Sequence, residues 1–281
     1  MALVLVLLLA GCEAAGHCDA SALAAPPQSA GVSTTVIPRD DRDPLMRVAD
    51  DTRAHGDTAT AIGIYRRLHE MRPNDPVPLA RLGSALSQVQ EHGEAAQAYR
   101  AALALSPDDP DLHRGLAVSL LSLGQPEGAI TDLEAAIARR SNDPRLFSAL
   151  GVAHDLIGRH DLAQDDYQNG LRLAPQSAGL RNNYALSLAL SGDYGAAATI
   201  LGEMAGDPKV PRRYHLNLAL VYGLAGNAEK ATSVARTALD EEAVRNNLAY
   251  YAMLRALDDK ARVAAIMGGQ LGSGLGESLP P

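Results

Sequence analysis

The sequence predicts an all-α chain built as a solenoid of helix–turn–helix units, each 34 residues long. Three observations predict it. Aromatic residues make up only 4% of the chain and Trp is absent, so the apolar content is mostly Ala and Leu, which favour helices, with few Ile and Phe to fill sheets. Asp75-Pro76, Asp109-Pro110 and Asp143-Pro144 recur at a constant interval, and Asp followed by Pro marks a helix start. The Asp carboxylate caps free N–H groups, and Pro fits the first turn, where its missing N–H is not needed. Alanine recurs at the same interval six times, at Ala61, Ala95, Ala129, Ala163, Ala197 and Ala231.

Frames counted from that interval start at 42, 76, 110, 144, 178 and 212. The alanines fall at the twentieth position. The eighth holds Ala49, Gly83, Ala117, Gly151, Ala185 and Ala219, so two helices of a hairpin are expected to cross there with no room for a larger side chain. Larger groups stand beside them, at the seventh position (Val48, Leu82, Leu116, Leu150, Tyr184, Leu218) and the twenty-fourth (Tyr65, Tyr99, Leu133, Tyr167, Leu201, Ala235). The fifteenth position is Gly in every frame but the second, which has Gln90, and a helix that ends in the left-handed conformation favours Gly. Pro73, Pro107 and Pro175 stop the second helix of their frames.

This alternation of small, large, small and aromatic residues resembles the tetratricopeptide repeat in length and in each key position. The predicted repeats are 42–75, 76–109, 110–143, 144–177, 178–211 and 212–241, with a truncated repeat and capping helices over 242–267. Such an end is needed because an open repeat face exposes apolar surface.

The formal net charge is −8 and no Lys/Arg cluster stands out, which excludes the basic stripe of a nucleic-acid binder. The two cysteines, Cys12 and Cys18, lie outside any expected core and form no zinc pattern. No nucleophile motif, phosphate loop or paired carboxylates stand out, so the expectation is a non-enzyme with no cofactor, no metal and no small-molecule substrate. His154-Asp155 and His160-Asp161 come nearest to a metal cluster. His154 occupies a position that is Leu or Tyr in other frames and is expected to be packed, whereas His160, just past the turn Gly158, is expected to be solvated.

The N-terminus reads as an address. Residues 2–10 (ALVLVLLLA) are apolar but span roughly half of a bilayer's hydrocarbon core, which fits a signal-peptide h-region and not a membrane span. Leu9-Ala10-Gly11-Cys12 resembles the bacterial lipobox, which implies cleavage of a signal peptide (1–11) and lipidation of Cys12. The stretch carries no Lys or Arg, only the Met1 amine. The alternative is a mis-assigned start, in which case the chain is a cytosolic adaptor. Residue 13 is Glu, not the Asp that signals inner-membrane retention, so the expected place is the periplasmic face of the outer membrane. Residues 12–41 read as a flexible tether and 268–281 as a disordered tail, both rich in small residues and Pro.

The C-terminal half carries Arg181-Asn182-Asn183-Tyr184-Ala185-Leu186, then Leu216-Asn217-Leu218-Ala219-Leu220 with Tyr222-Gly223-Leu224-Ala225-Gly226, then Val244-Arg245-Asn246-Asn247-Leu248-Ala249-Tyr250-Tyr251. This order, together with the lipobox, resembles the TadD lipoproteins of the tight-adherence (Flp pilus) assembly system over residues 42–257. The resemblance implies a protein–protein scaffold in the cell envelope whose partners are the secretin or other pilus assembly components. Another pilotin-like or outer-membrane biogenesis lipoprotein is the alternative within that class.

Tetratricopeptide arrays bind partners along the concave face of their first helices. On that pattern the expected groove holds Val118, Val152, Leu186 and Leu220 at the ninth position, an aliphatic surface suited to an apolar helix or extended segment. Asn182, Asn183 and Asn217 are its expected polar members, gripping a partner's backbone. The competing expectation is that the aliphatics belong to the core between repeats and that the asparagines bond between neighbouring helices.

Overall fold

A computed structural model describes residues 43–140, 142–206 and 211–267. The signal peptide, Cys12, the tether and the C-terminal tail expected from sequence lie outside these residues. Within them the chain forms fourteen α-helices and no strand. They pair as α1 (Pro44–Ala54) with α2 (Thr58–Met71), α3 (Pro76–Gln88) with α4 (His92–Leu105), and α5 (Pro110–Ser122) with α6 (Pro126–Arg139). Then follow α7 (Pro144–Leu156) with α8 (His160–Leu173), α9 (Ala178–Leu190) with α10 (Tyr194–Ala205), and α11 (Arg213–Leu224) with α12 (Ala228–Arg236). The last two are α13 (Glu241–Ala256) and α14 (Asp259–Met267).

The helix starts follow from the Asp-Pro pairs. Asp43, Asp75, Asp109 and Asp143 each accept backbone N–H bonds from the first turn of α1, α3, α5 and α7, as from Leu45 N at 2.7 Å and Arg145 N at 2.9 Å. Each such cap is worth about 1 kcal/mol. In the fifth frame, which has no Asp-Pro pair, Ser177 caps α9 through Leu180 N. The turn between paired helices is left-handed in all six frames, at Gly56, Gln90, Gly124, Gly158, Gly192 and Gly226. Gln90 holds φ 64°, so the turn's hydrogen bonds impose this conformation even on a residue with a side chain.

The six twentieth-position alanines are all fully buried, as are Ala49, Ala117, Ala185 and Ala219. The eighth and twenty-fourth positions compensate in size. Gly83 faces Tyr99 and Gly151 faces Tyr167, whereas Ala117 and Ala185 go with Leu133 and Leu201. A Cβ on Gly151 would lie 2.5 Å from the buried Tyr167 ring, so only glycine fits against tyrosine there. The first frame departs from this rule by pairing Ala49 with Tyr65. Val48, expected to fill space at the seventh position, is half exposed, because no described helix precedes α1.

Each second helix packs against the next first helix. First helices also touch one another in succession, α3 on α5, α5 on α7, α7 on α9, α9 on α11 and α11 on α13, and no comparable contact joins the second helices. The first helices therefore form the crowded inner row of a superhelix and the second helices its splayed outer row. α14 breaks the pattern. It follows α13, yet it touches α7 and α9, so it folds back across the inner row. Among the described residues no helix is long and apolar enough to cross a membrane.

Candidate partner-binding face

The inner row is stitched by side chains at a fixed offset. Position twelve of one frame meets position nine or ten of the next: Arg53 donates to Ser84 Oγ at 3.0 Å, Ser87 meets Ser119 at 3.4 Å, and Ser187 donates to Asp155 at 2.8 Å. Position six meets position five of the frame before it. Asn217 donates to Asn182 Oδ1 at 2.6 Å and Asn183 to Ser148 Oγ at 3.4 Å. The asparagines thus bond between neighbouring helices, the competing expectation. All three are buried, Asn217 fully, and are not available to grip a partner in this arrangement.

The aliphatic groove requires the same correction. Val152, Leu186 and Leu220 are 4%, 2% and 4% exposed, so they are core and not an open surface. Successive first helices approach closely enough to seal the ninth position, and α14 covers α7 and α9 besides. Val118 alone of the expected aliphatics stays half-buried, on α5, beyond the reach of α14.

What remains open on the inner row lies towards its N-terminal end and is polar. Asp50, Arg53, Arg81, Ser84, Ser87 and Val118 on α1, α3 and α5 are all half-buried. Arg81 stands 3.8 Å from Asp50, whose carboxylate also accepts the Tyr65 hydroxyl at 2.6 Å. Burial raises the pKa of Tyr99, against the hydrogen bonds from Ser84 and Ser87 that lower it. The surface offers hydrogen-bonding groups of both signs, suited to a peptide backbone or polar side chains. A sequence signal for it exists: the ninth position reads Asp50 and Ser84 before it turns aliphatic at Val118.

His154, His160 and the carboxylates beside them are closed on one another. His154 is packed as expected, its Nδ1 2.6 Å from Asp166. His160 is not solvated; its Nδ1 lies 2.7 Å from Asp155 and its side chain is 14% exposed. Asp155 also accepts from Tyr167 Oη at 3.0 Å. Burial pushes the carboxyls of Asp155 and Asp166 up, against the hydrogen bonds from His160 and His154 that hold them down. Ser187, Asp155 and His160 are the residue types of a hydrolytic triad in the wrong order. Ser187 donates to the carboxylate and not to an imidazole, so no base activates it. Among the described residues no three His, Cys, Asp or Glu side chains converge on a metal position.

Two tetratricopeptide-repeat family models match the chain, over residues 88–152 and 148–211. The chain is a tetratricopeptide-repeat solenoid, and neither match is to a catalytic family. Among solved structures it is similar to a tetratricopeptide repeat protein from Parabacteroides merdae (17% identity, 81% of this chain and 96% of that one, TM-score 0.64). It is also similar to PilF of Pseudomonas aeruginosa (19% identity, 73% and 96%, TM-score 0.59) and to MamA from Desulfovibrio magneticus (21% identity, 58% and 92%, TM-score 0.54). At these identities the likeness is one of fold. No curated protein matches the sequence. Repeats of this kind are protein–protein interaction modules, and protein partners follow from that class.

Proposed function

We propose that this chain is a non-enzymatic, lipid-anchored scaffold of the bacterial cell envelope that acts in the biogenesis of Flp-type (tight-adherence) pili and their secretin apparatus. The observation that carries the reading is a lipobox-like Leu9-Ala10-Gly11-Cys12 joined to a repeat solenoid whose inner row keeps one open, polar stretch. The order of Asn-containing units from Arg181 to Tyr251 supports the tight-adherence system in particular. The fold shared with PilF is compatible with a pilus role. The absence of chemistry rests on the pairing of His154, His160 and Asp155 within the repeats, which leaves these groups structural. A membrane place needs the Cys12 acyl chains, since two or more chains anchor stably and one does not. Labelled palmitate fed to cells is expected to enter the wild-type protein and not Cys12→Ser, and the variant is expected to leave the membrane fraction. Palmitate incorporation that persists in Cys12→Ser overturns the anchor.

A further inference from the structure

α14 lies against α7 and α9, both first helices of internal repeats, and makes no comparable contact with α3, α5 or α11. It presents Val263 and Ile266, three residues apart on one helical face and both buried, with half-buried Ala265 beside them.

We propose that α14 is a built-in occupant of the inner face over α7 and α9, displaced when a partner's amphipathic helix with the same apolar pair takes its place. This rests on reading the inner row as a partner-binding face. α14 is nine residues long, shorter than the length at which a helix is stable alone, so its helicity depends on docking. Its docked side is small. Outside Val263 and Ile266 it is held by the Tyr250 hydroxyl, which donates to the Ala265 carbonyl at 3.1 Å, and by Arg262, which donates to the Leu254 and Leu257 carbonyls at 3.1 and 2.7 Å. Leu257 leaves α13 in an extended conformation (ψ 149°), so α14 is joined to the array by a two-residue link, Leu257-Asp258, and not by a continuous helix.

An attached segment competes at a high effective concentration, so a displacing helix needs contacts that α14 lacks. The open polar stretch on α3 and α5 adjoins the covered one and supplies them. The partner this face fits is therefore a helix with an apolar pair for α7 and α9, continued by a hydrogen-bonding segment that reaches Ser84 and Ser87.

The test uses the full chain carrying Val263→Asp and Ile266→Asp, with a synthetic peptide of residues 258–267 as the probe. In the variant, amide exchange in α14 is expected to rise by about 100-fold or more while α1–α6 stay as protected as in wild type. At millimolar peptide, NMR resonances of α7 and α9 are expected to shift in the variant and not in wild type. Exchange that rises across α7–α11 together with α14 makes α14 a permanent part of the core and overturns the proposal, as does a variant whose α7 and α9 take up no peptide. Should the charged variant fail to fold, Tyr250→Phe loosens α14 without placing charge on the core, and α14 exchange is expected to rise about fivefold with no change in α9. Unchanged α14 exchange in Tyr250→Phe then overturns the proposal. The peptide reads occupancy of α7 and α9 with no partner present, whereas capture of a partner at Val118, beyond α14, reads partner binding by itself.

Discussion

Val152→Ser, Leu186→Ser and Leu220→Ser, combined in one chain, are expected to unfold the solenoid from α7 to α11. Each side chain is all but inaccessible, and each substitution removes buried apolar volume and leaves a hydroxyl in its place. Truncating a buried Leu costs about 2–5 kcal/mol, so the three together exceed about 6 kcal/mol, comparable with the whole stability of many domains. In a repeat array the loss falls on the affected units and their neighbours, so α1–α4 are expected to keep their helices and the melt to split in two. Circular dichroism melts with amide exchange resolve the halves. A triple variant that melts as one unit at the wild-type temperature would mean that these residues line an open face after all.

The second large effect is expected at Asp155. Its carboxylate joins three helices, accepting from His160 and Tyr167 on α8 and from Ser187 on α9. Asp155→Ala strands two buried hydroxyls and an imidazole, and removing one member of such a buried network costs about 3–5 kcal/mol. Asp155→Asn separates charge from shape. Burial raises the Asp155 carboxyl, so the fold favours its neutral form. The stability this contributes is fully present below the unfolded carboxylate value of about 3.9 and is lost as pH climbs through the raised folded value. Measured as Asp155→Asn minus wild type, stability is therefore expected to move in favour of Asn as pH rises from acid. Movement in the opposite direction would show that the hydrogen bonds outweigh burial and hold the carboxyl low.

The repeat itself was legible because its determinants are local or fall at a fixed interval. Asp-Pro caps, the alanines at the hairpin crossing and the glycines at the turn each answer one steric or hydrogen-bonding demand that recurs every 34 residues. Even Gln90, the exception at the turn, takes the conformation its position requires. The binding face was legible only in part. An aliphatic side chain at the ninth position serves an open groove or a seam between first helices equally well, and only the spacing of the helices decides. For Val152, Leu186 and Leu220 it decides for the seam. The return of α14 onto α7 and α9 skips over the helices between them in the chain, with no periodic signal to announce it. The Asp155 cluster left a faint trace, an Asp and a His five residues apart across a turn, and the expectation of a solvated His160 missed it because the third helix, bearing Ser187, comes from the next repeat.

The inner row of this solenoid is expected to hold an envelope partner. A photo-crosslinking residue such as benzoylphenylalanine tests it most directly in living cells, placed once at Val118 on the inner row and once at Arg100, which is exposed on the outer helix α4. An adduct is expected from position 118, identified by mass spectrometry as a secretin or pilus assembly component, and none from position 100. Equal adducts from both positions, or no adduct from position 118, would contradict it.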